Sequence, residues 1–436
     1  MQSPLKDINI NFLRNNNLGF VLFSIGVLFL ASAPFISCIL FLYPLSHSIF
    51  NNKFNLLEDK YNQILLLVSI LMIARSLFSS FETTNQLESW NSSMSWAYLA
   101  NWLPLFVCFV GFQTYLKTIE QRKIISKFLL AGTIPVLISC FGQYWFDWHG
   151  PFETLNGLIK WFQRPLTIDN QNVTGLFSNP NYAGAWLTMI WPLSIALFKE
   201  KFETKNFLKS NIIFLIILMF STSIILTNSR NAWLGFLIPI PLILGKKSLK
   251  WFLPMIILTL FLIFTSFLPY VPIELKTFSQ SLVPTNIVGE FREITLDFQN
   301  FPRLFIWKEA IGFIIEKPFF GWGASTFPFL YKFKSGLWND HTHNLFLELS
   351  VSYGLIISII IYAIFLFTLF RSIEIIYFKD KSFSLIDKGW VTAEIIFLII
   401  HLNDVLIFDI RINLASWIFI AGLRNISKNS YYKVEQ

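Results

Sequence analysis

Apolar runs of about 20 residues recur from one end of the chain to the other, the length a helix needs to cross the hydrocarbon core of a bilayer. They predict about twelve spans, with boundaries good to a few residues. An opening pair at 18–31 and 35–50 is broken at Ala33-Pro34. Four more follow at 62–80, 98–116, 124–141 and 183–198, and three at 212–227, 232–245 and 251–268. The last three lie at 345–370, 391–401 and 413–423. The final two are short enough to be one tilted pair or partly re-entrant. The expected architecture is an all-α polytopic membrane protein, with one integral membrane domain over 1–436. Lys6, Asp7 and Arg14 precede the first run and no small-residue cleavage site closes it, so it reads as a retained helix.

Two polar stretches are too long to be turns, 142–181 and 269–343. The larger alone has soluble-domain character. Within it, Pro302-Arg303-Leu304-Phe305-Ile306-Trp307 reads as a helix start with Pro at its first position. Arg303 and Trp307 then lie one turn apart on one face, while Ile306, Ala310 and Phe313 form an apolar stripe. The helix is expected to stop before Pro318, and Gly321-Trp322-Gly323 to turn the chain. Such an amphipathic helix also suits the bilayer surface.

Composition agrees with the pattern. Apolar residues make up 54% of the chain and charged ones 14%, with mean hydropathy +0.56, against roughly 25% charged in soluble domains. Cys38, Cys108 and Cys140 all fall in apolar segments, so no disulfide framework is implied.

Charge placement tests the span count independently. Counting from an inside N-terminus, the inside loops carry Lys53 and Lys60, Lys117 to Lys127, Lys199 to Lys209, Lys246 to Lys250, Arg371 to Lys388 and the tail from Arg424. The outside loop 81–97 holds no Lys or Arg. This is the positive-inside pattern, and it places both termini in the cytoplasm. The net charge of +8 follows from it, without nucleic acid. Reporters fused after Gln86 and within 279–288 are therefore expected outside, and those after Lys201, Lys247 and the C-terminus inside. A cytoplasmic reporter at Ser281 would remove the outside site described next.

Some polar residues sit where that pattern does not put them. Arg230 lies in the outside turn Asn228-Ser229-Arg230-Asn231, and Arg411 in the last outside turn. An ion pair or a headgroup contact explains a misplaced Arg as readily as a site does. Ser178-Asn179-Pro180 closes the smaller outside segment and has turn and cap chemistry. Asp340-His341-Thr342-His343-Asn344, with Glu348 beyond, holds two of the five histidines where the larger segment returns to an apolar helix. Asn179, Arg230, Arg303 and His343 thus converge on one face. Guanidinium groups bind phosphates bidentately, and a neutral imidazole takes a proton from an incoming hydroxyl. Together they suit displacement of a pyrophosphate leaving group.

At this point the chain resembles the O-antigen ligase/polymerase superfamily of membrane glycosyltransferases. The resemblance rests on the order of spans, Ser229-Arg230, the Arg303…Trp307…Gly321-Trp322-Gly323 block and His341-Thr342-His343-Asn344-Leu345…Glu348. It is strongest from Thr174 to Gly354. Gly175-Leu176-Phe177-Ser178-Asn179-Pro180-Asn181, Asp404 and Phe408-Asp409-Ile410-Arg411-Ile412-Asn413 look most like a cyanobacterial branch named for bicarbonate (inorganic-carbon) transport. The resemblance implies a GT-C-like fold and metal-independent, inverting transfer with no cofactor, as in lipopolysaccharide biosynthesis. A glycan would move from an undecaprenyl-pyrophosphate carrier to a lipid- or protein-linked acceptor hydroxyl outside the membrane. It implies Arg230 and Arg303 for the pyrophosphate and His343 as base, with Asn179, Trp307, His341, Asn344, Glu348 and Arg411 as substrate contacts. Glu348 would orient the helix start through Asn344, one turn away.

Other readings stay open. An anion transporter would also gather Arg outside, but it needs polar groups through the bilayer and commonly shows repeats between its halves. A non-catalytic scaffold leaves the Arg and His cluster unexplained. His341, His343 and Asp340 offer three ligands to a zinc ion, although the cysteines are in the membrane. Arg75, inside a span but near its end, suits snorkelling.

Overall fold

A computed structural model describes residues 17–51, 58–81, 90–168, 171–283, 288–289, 292, 302–379 and 384–432. Lys6, Asp7, Arg14, Lys53, Gln86 and Lys381 lie outside these described residues. The chain is mostly helical. It opens with α1 (Leu18–Phe29), α2 (Pro34–Asn51), α3 (Lys60–Phe81), α4 (Ser92–Tyr98), α5 (Leu103–Phe112) and α6 (Ile119–Phe146). A hairpin of β1 (Phe152–Thr154) and β2 (Ile159–Trp161) interrupts the helices. Then come α7 (Pro180–Glu203), α8 (Phe207–Leu226), α9 (Arg230–Leu237), α10 (Pro239–Leu244), α11 (Leu249–Phe267) and α12 (Ile273–Leu282). The remainder comprises α13 (Pro302–Glu316), α14 (Phe327–Ser335), α15 (Leu345–Tyr353), α16 (Leu355–Ile373), α17 (Leu385–Ile400) and α18 (Ile410–Tyr432).

Seven helical stretches among the described residues are long and apolar enough to cross a membrane. The chain is a multi-pass membrane protein. The helices at the expected eleventh and twelfth spans, α17 and α18, reach beyond the predicted bounds, to 16 and 23 residues, and neither is among those seven. The pattern truncates them because ionisable residues interrupt the apolar run, and the fold pairs those residues internally. Asp387 accepts from Arg122 Nε at 2.6 Å, both fully buried. The guanidinium of Arg424 meets Asp59 at 3.1 Å. Buried charges are tolerated when paired and hydrogen-bonded in this way.

The centre of the bundle is α7 against α17 and α18. From Ala183 to Leu197 every α7 side chain is buried, so this helix is apolar all round rather than striped. Two indole N–H groups in this core find hydroxyl partners. Trp186 donates to Thr133 Oγ1 at 3.1 Å and Trp390 to Ser126 Oγ at 2.8 Å. Inside a bilayer no water substitutes for such acceptors.

A second, smaller core lies under α13. Ile306, Ala310 and Phe313, the predicted stripe, are buried against α14 and Val351 of α15. The stripe therefore packs on protein and not on the bilayer surface. Gly321 and Gly323 both take positive φ, +65° and +102°, in the turn expected of them. That turn is pinned to the end of α15: Trp322 N–H donates to the Val351 carbonyl at 2.7 Å and Gly323 N–H to that of Ser352 at 3.1 Å. The segment 269–343 is thereby tied to the membrane bundle at its far end.

Candidate functional site

The loop between α14 and α15 positions the histidines. Asn344 caps α15, accepting the Leu347 N–H at 3.0 Å, while its Nδ2 donates to the Leu402 carbonyl at 3.0 Å. Its amide is committed to the cap. His343 precedes the cap instead of opening the helix, with φ +52°. This left-handed region disfavours most residues other than Gly, and residues held there cluster at functional sites. The hold comes from Thr342, whose N–H donates to the buried Glu348 carboxylate at 3.0 Å and whose Oγ1 donates to the Asn344 carbonyl at 2.7 Å. Glu348 thus orients the loop through Thr342. The expected route through Asn344 is closed, because that amide is already engaged by Leu347 and Leu402.

The turn between α17 and α18 supplies what the histidine loop lacks. His343 Nδ1 stands 3.2 Å from Asp404 Oδ1, and His341 Nε2 stands 3.7 Å from the same oxygen. The rings of the two histidines are 4.3 Å apart, edge to face. Asn181 Nδ2 donates to Asp404 Oδ2 at 3.1 Å, and Val405 N–H to Oδ1 at 2.9 Å. Burial alone would push the Asp404 carboxyl up. The hydrogen bond from His343, the attraction of both imidazoles and the Val405 N–H outweigh it and hold the carboxyl below the usual carboxylate range.

This network assigns the tautomers. His341 Nδ1 accepts the His343 backbone N–H at 3.2 Å, so its proton sits on Nε2. Burial pushes the His341 imidazole down to about 4, against the pull of Asp404, with His343 and Arg303 opposing its charge and Asp340 favouring it. It is neutral at neutral pH. His343 presents Nδ1–H to the Asp404 carboxylate, which leaves Nε2 as its free lone pair. A carboxylate on one nitrogen and an open lone pair on the other is the arrangement of an oriented general base.

Other predicted residues fall around this centre unequally. Arg303 lies half-buried in the first turn of α13 and close enough to His341 to oppose its protonation. Arg230 is exposed at the start of α9. Its neighbour Ser229 packs on Gly184 of α7, where a Cβ would meet Ser229 Cβ at 3.1 Å. The Arg230 turn therefore abuts the same end of α7 that carries Asn181. Asn179 is the cap of α7, its side chain accepting the Asn181 N–H at 2.7 Å. Trp307 packs against the smaller core, its indole nitrogen buried with no hydrogen-bond partner among the described residues.

Arg411 takes the ion-pair alternative. It is 5% exposed and its Nε donates to Asp409 Oδ1 at 2.8 Å. Its plane stacks 3.7 Å from the Phe177 ring centroid, and Nη1 donates to the Leu176 carbonyl at 3.3 Å. It fastens the 174–177 segment to α18. Gln143 holds the same segment from the other side, its Oε1 accepting the N–H groups of Thr174 and Gly175 at 3.0 Å each.

The donor atoms of His341, His343 and Asp404 all lie within 4.8 Å of one another, so these three have the composition of a metal centre. Asp404, and not Asp340, is the third member: the Asp340 carboxylate accepts from Trp338 Nε1 at 2.7 Å. Asp404 and Asn181 were not singled out as site residues. Both stood in the motifs of the cyanobacterial resemblance, and Asp404 is also a carboxylate in a mostly apolar stretch, but neither signal gave them a role.

Residues 214–369 match the family model described as O-Antigen ligase. The match spans Arg230, Arg303, Trp307, His341, His343, Asn344 and Glu348, and excludes Asn179, Asn181, Asp404 and Arg411. No curated protein matches the chain. The matched segment supports an O-antigen ligase/polymerase-like function at the level of the family.

Proposed function

We propose that the protein is a membrane glycosyltransferase that moves a glycan from an undecaprenyl-pyrophosphate carrier to an acceptor hydroxyl at the outside face. The observation that carries this reading is the His343–Asp404 contact at 3.2 Å, with Arg303 close by. In the proposed reaction the acceptor hydroxyl gives its proton to His343 Nε2 as its oxygen attacks the anomeric carbon. The bond from that carbon to the pyrophosphate oxygen breaks on the opposite face, with inversion. Asp404 stabilises the imidazolium that forms. Arg303 and Arg230 neutralise charge developing on the pyrophosphate.

Membranes lacking the protein are expected to accumulate a lipid-linked glycan. Unchanged glycans together with lost anion uptake would replace this reading by transport. One observation speaks for transport: Glu394, fully buried within α17, carries only a hydrogen bond from Ser416 Oγ at 3.2 Å among the described residues, and ionisable groups in spans often mark ion paths.

The cations give a second test. Lys at position 230 or 303 keeps the charge and loses the guanidinium fork. Arg230→Lys and Arg303→Lys should each cost about 1.5–3 kcal/mol of transition-state stabilisation, as for a charge-assisted contact, at normal protein levels. Wild-type rates in both variants would return these residues to ion pairing. Transfer is expected to persist in a chelator, because the carboxylate here serves as a hydrogen-bond acceptor for the base. Loss of activity restored by added zinc would assign His341, His343 and Asp404 to a metal instead.

A further inference from the structure

The proposed transfer uses one histidine of the pair and leaves the aim of the other unexplained. A base needs one carboxylate behind it, and His343 has Asp404 at 3.2 Å. His341 turns a second imidazole nitrogen, Nε2, toward the same oxygen from 3.7 Å, beyond the reach of an ordinary hydrogen bond. Donors that share a metal ion stand at such separations. Zinc bonds nitrogen and oxygen at about 2.0–2.2 Å in a tetrahedron, which sets neighbouring donors about 3.4 Å apart. The two histidine–aspartate separations, 3.2 and 3.7 Å, bracket that value. The imidazole donors lie within 4.8 Å of each other, so they need draw together by about 1.4 Å at most.

The ligands are also oriented in advance. Thr342 holds the histidine loop between the Glu348 carboxylate and the Asn344 carbonyl. Asp404 is fixed by Asn181 Nδ2 on Oδ2 and by Val405 N–H on Oδ1, and bonds of this kind to a ligating carboxylate tune a metal site. The Asp404 side chain is 4% exposed, against 17% for His341 and 25% for His343. An ion would therefore enter from the histidine side and keep water as its fourth ligand. Two imidazoles and one carboxylate suit zinc or cobalt, whereas magnesium and calcium call for more oxygen ligands.

We infer that His341, His343 and Asp404 form an inhibitory binding site for divalent ions of the zinc class. Coordination and catalysis compete for one imidazole. His343 gives its Nδ1 lone pair to the ion, so its single ring proton moves to Nε2, the nitrogen from which the base acts. Asp404 Oδ1 then holds the ion and no longer supports an imidazolium. His341 binds through Nε2, and its own proton moves to Nδ1, where the His343 backbone N–H stands 3.2 Å away. Two donors then face each other, and the chain at His343, held at φ +52°, has to shift. The ion thus removes the lone pair of the base and disturbs its support together. The inhibition rests on the proposed transfer; the binding site does not.

The test uses the full chain in nanodiscs, titrated with zinc chloride by calorimetry and with cobalt(II) followed by its visible absorption. One zinc ion per chain is expected at this site, with the intense cobalt absorption of tetrahedral coordination. Asn181→Ala, which removes a bond behind the carboxylate, should weaken zinc binding by about 10–100-fold, and His341→Ala, which removes a ligand, by more. Zinc should lower glycan transfer by the wild type, and a chelator should restore it; magnesium at the same concentration should leave the rate alone. The activity that remains in His341→Ala should resist zinc at concentrations that stop the wild type. Zinc binding undiminished in whichever of the two variants folds overturns the site. Zinc that binds through these residues and raises the rate overturns the inhibition. If zinc binds here while the wild type transfers no glycan, the transfer reading fails and the metal site stands.

Discussion

His343→Ala is expected to lower glycan transfer by ~10²–10⁴-fold, the usual contribution of a general base, with the protein inserted at normal levels. The geometry makes the prediction specific to one nitrogen. Nδ1 is turned to Asp404 at 3.2 Å, so Nε2 is the position from which a proton can be taken. His341→Ala should be milder. Its imidazole accepts the His343 N–H and supports the loop, and it carries its proton toward Asp404. A fall in rate between about pH 5 and 8 should not come from His341, since burial holds it at about 4 and it stays neutral there. A reconstituted His343→Ala protein that transfers sugar at the normal rate would sink the proposal. If that variant instead lost bicarbonate flux into sealed vesicles, transport would take its place.

Asp404→Asn is expected to come close to the same loss, up to the ~10⁴-fold seen when the carboxylate behind a catalytic histidine becomes an amide. An Asn at 404 still offers an oxygen, and the Val405 N–H and the Asn181 amide already compete for it. Its NH₂ then faces His343 Nδ1, which must accept, and the imidazole proton moves to Nε2, where the base is needed. Asp404→Glu keeps the charge and should retain more activity than Asn. A purely structural role predicts otherwise: Asn and Glu would both lower thermal stability, and the pH profile of the remaining activity would not move. Unchanged transfer in a stable Asp404→Asn protein would leave His343 without its orienting partner and refute the dyad.

Much of the scaffold was legible because membrane insertion is read from composition. A run of 20 apolar residues specifies a helix in lipid whatever it packs against. The α13 helix was legible for a related reason, since Pro302 at its start and the 306–310–313 stripe are local signals. Where the pattern failed, polar residues were buried with partners distant in sequence. Asp387 and Arg424 made α17 and α18 look shorter than they are, because their partners, Arg122 and Asp59, lie hundreds of residues away. The stripe on α13 showed an apolar face without naming its cover, and the smaller core supplied it.

The sequence by itself determined a polytopic helical protein, and it brought His341, His343 and Arg303 into consideration. These are properties of short windows, set by hydropathy, capping and charge placement. Only the tertiary structure decided how the chemistry is arranged. It gave His343 the Asp404 carboxylate across a separation of 61 residues and placed Asn181 behind it. It also withdrew Arg411 into a pair with Asp409, and turned Glu348 to Thr342. Hydrogen bonds and ion pairs act over about 3 Å, so which residues share them depends on how the helices pack, and no local pattern in the chain encodes that distance.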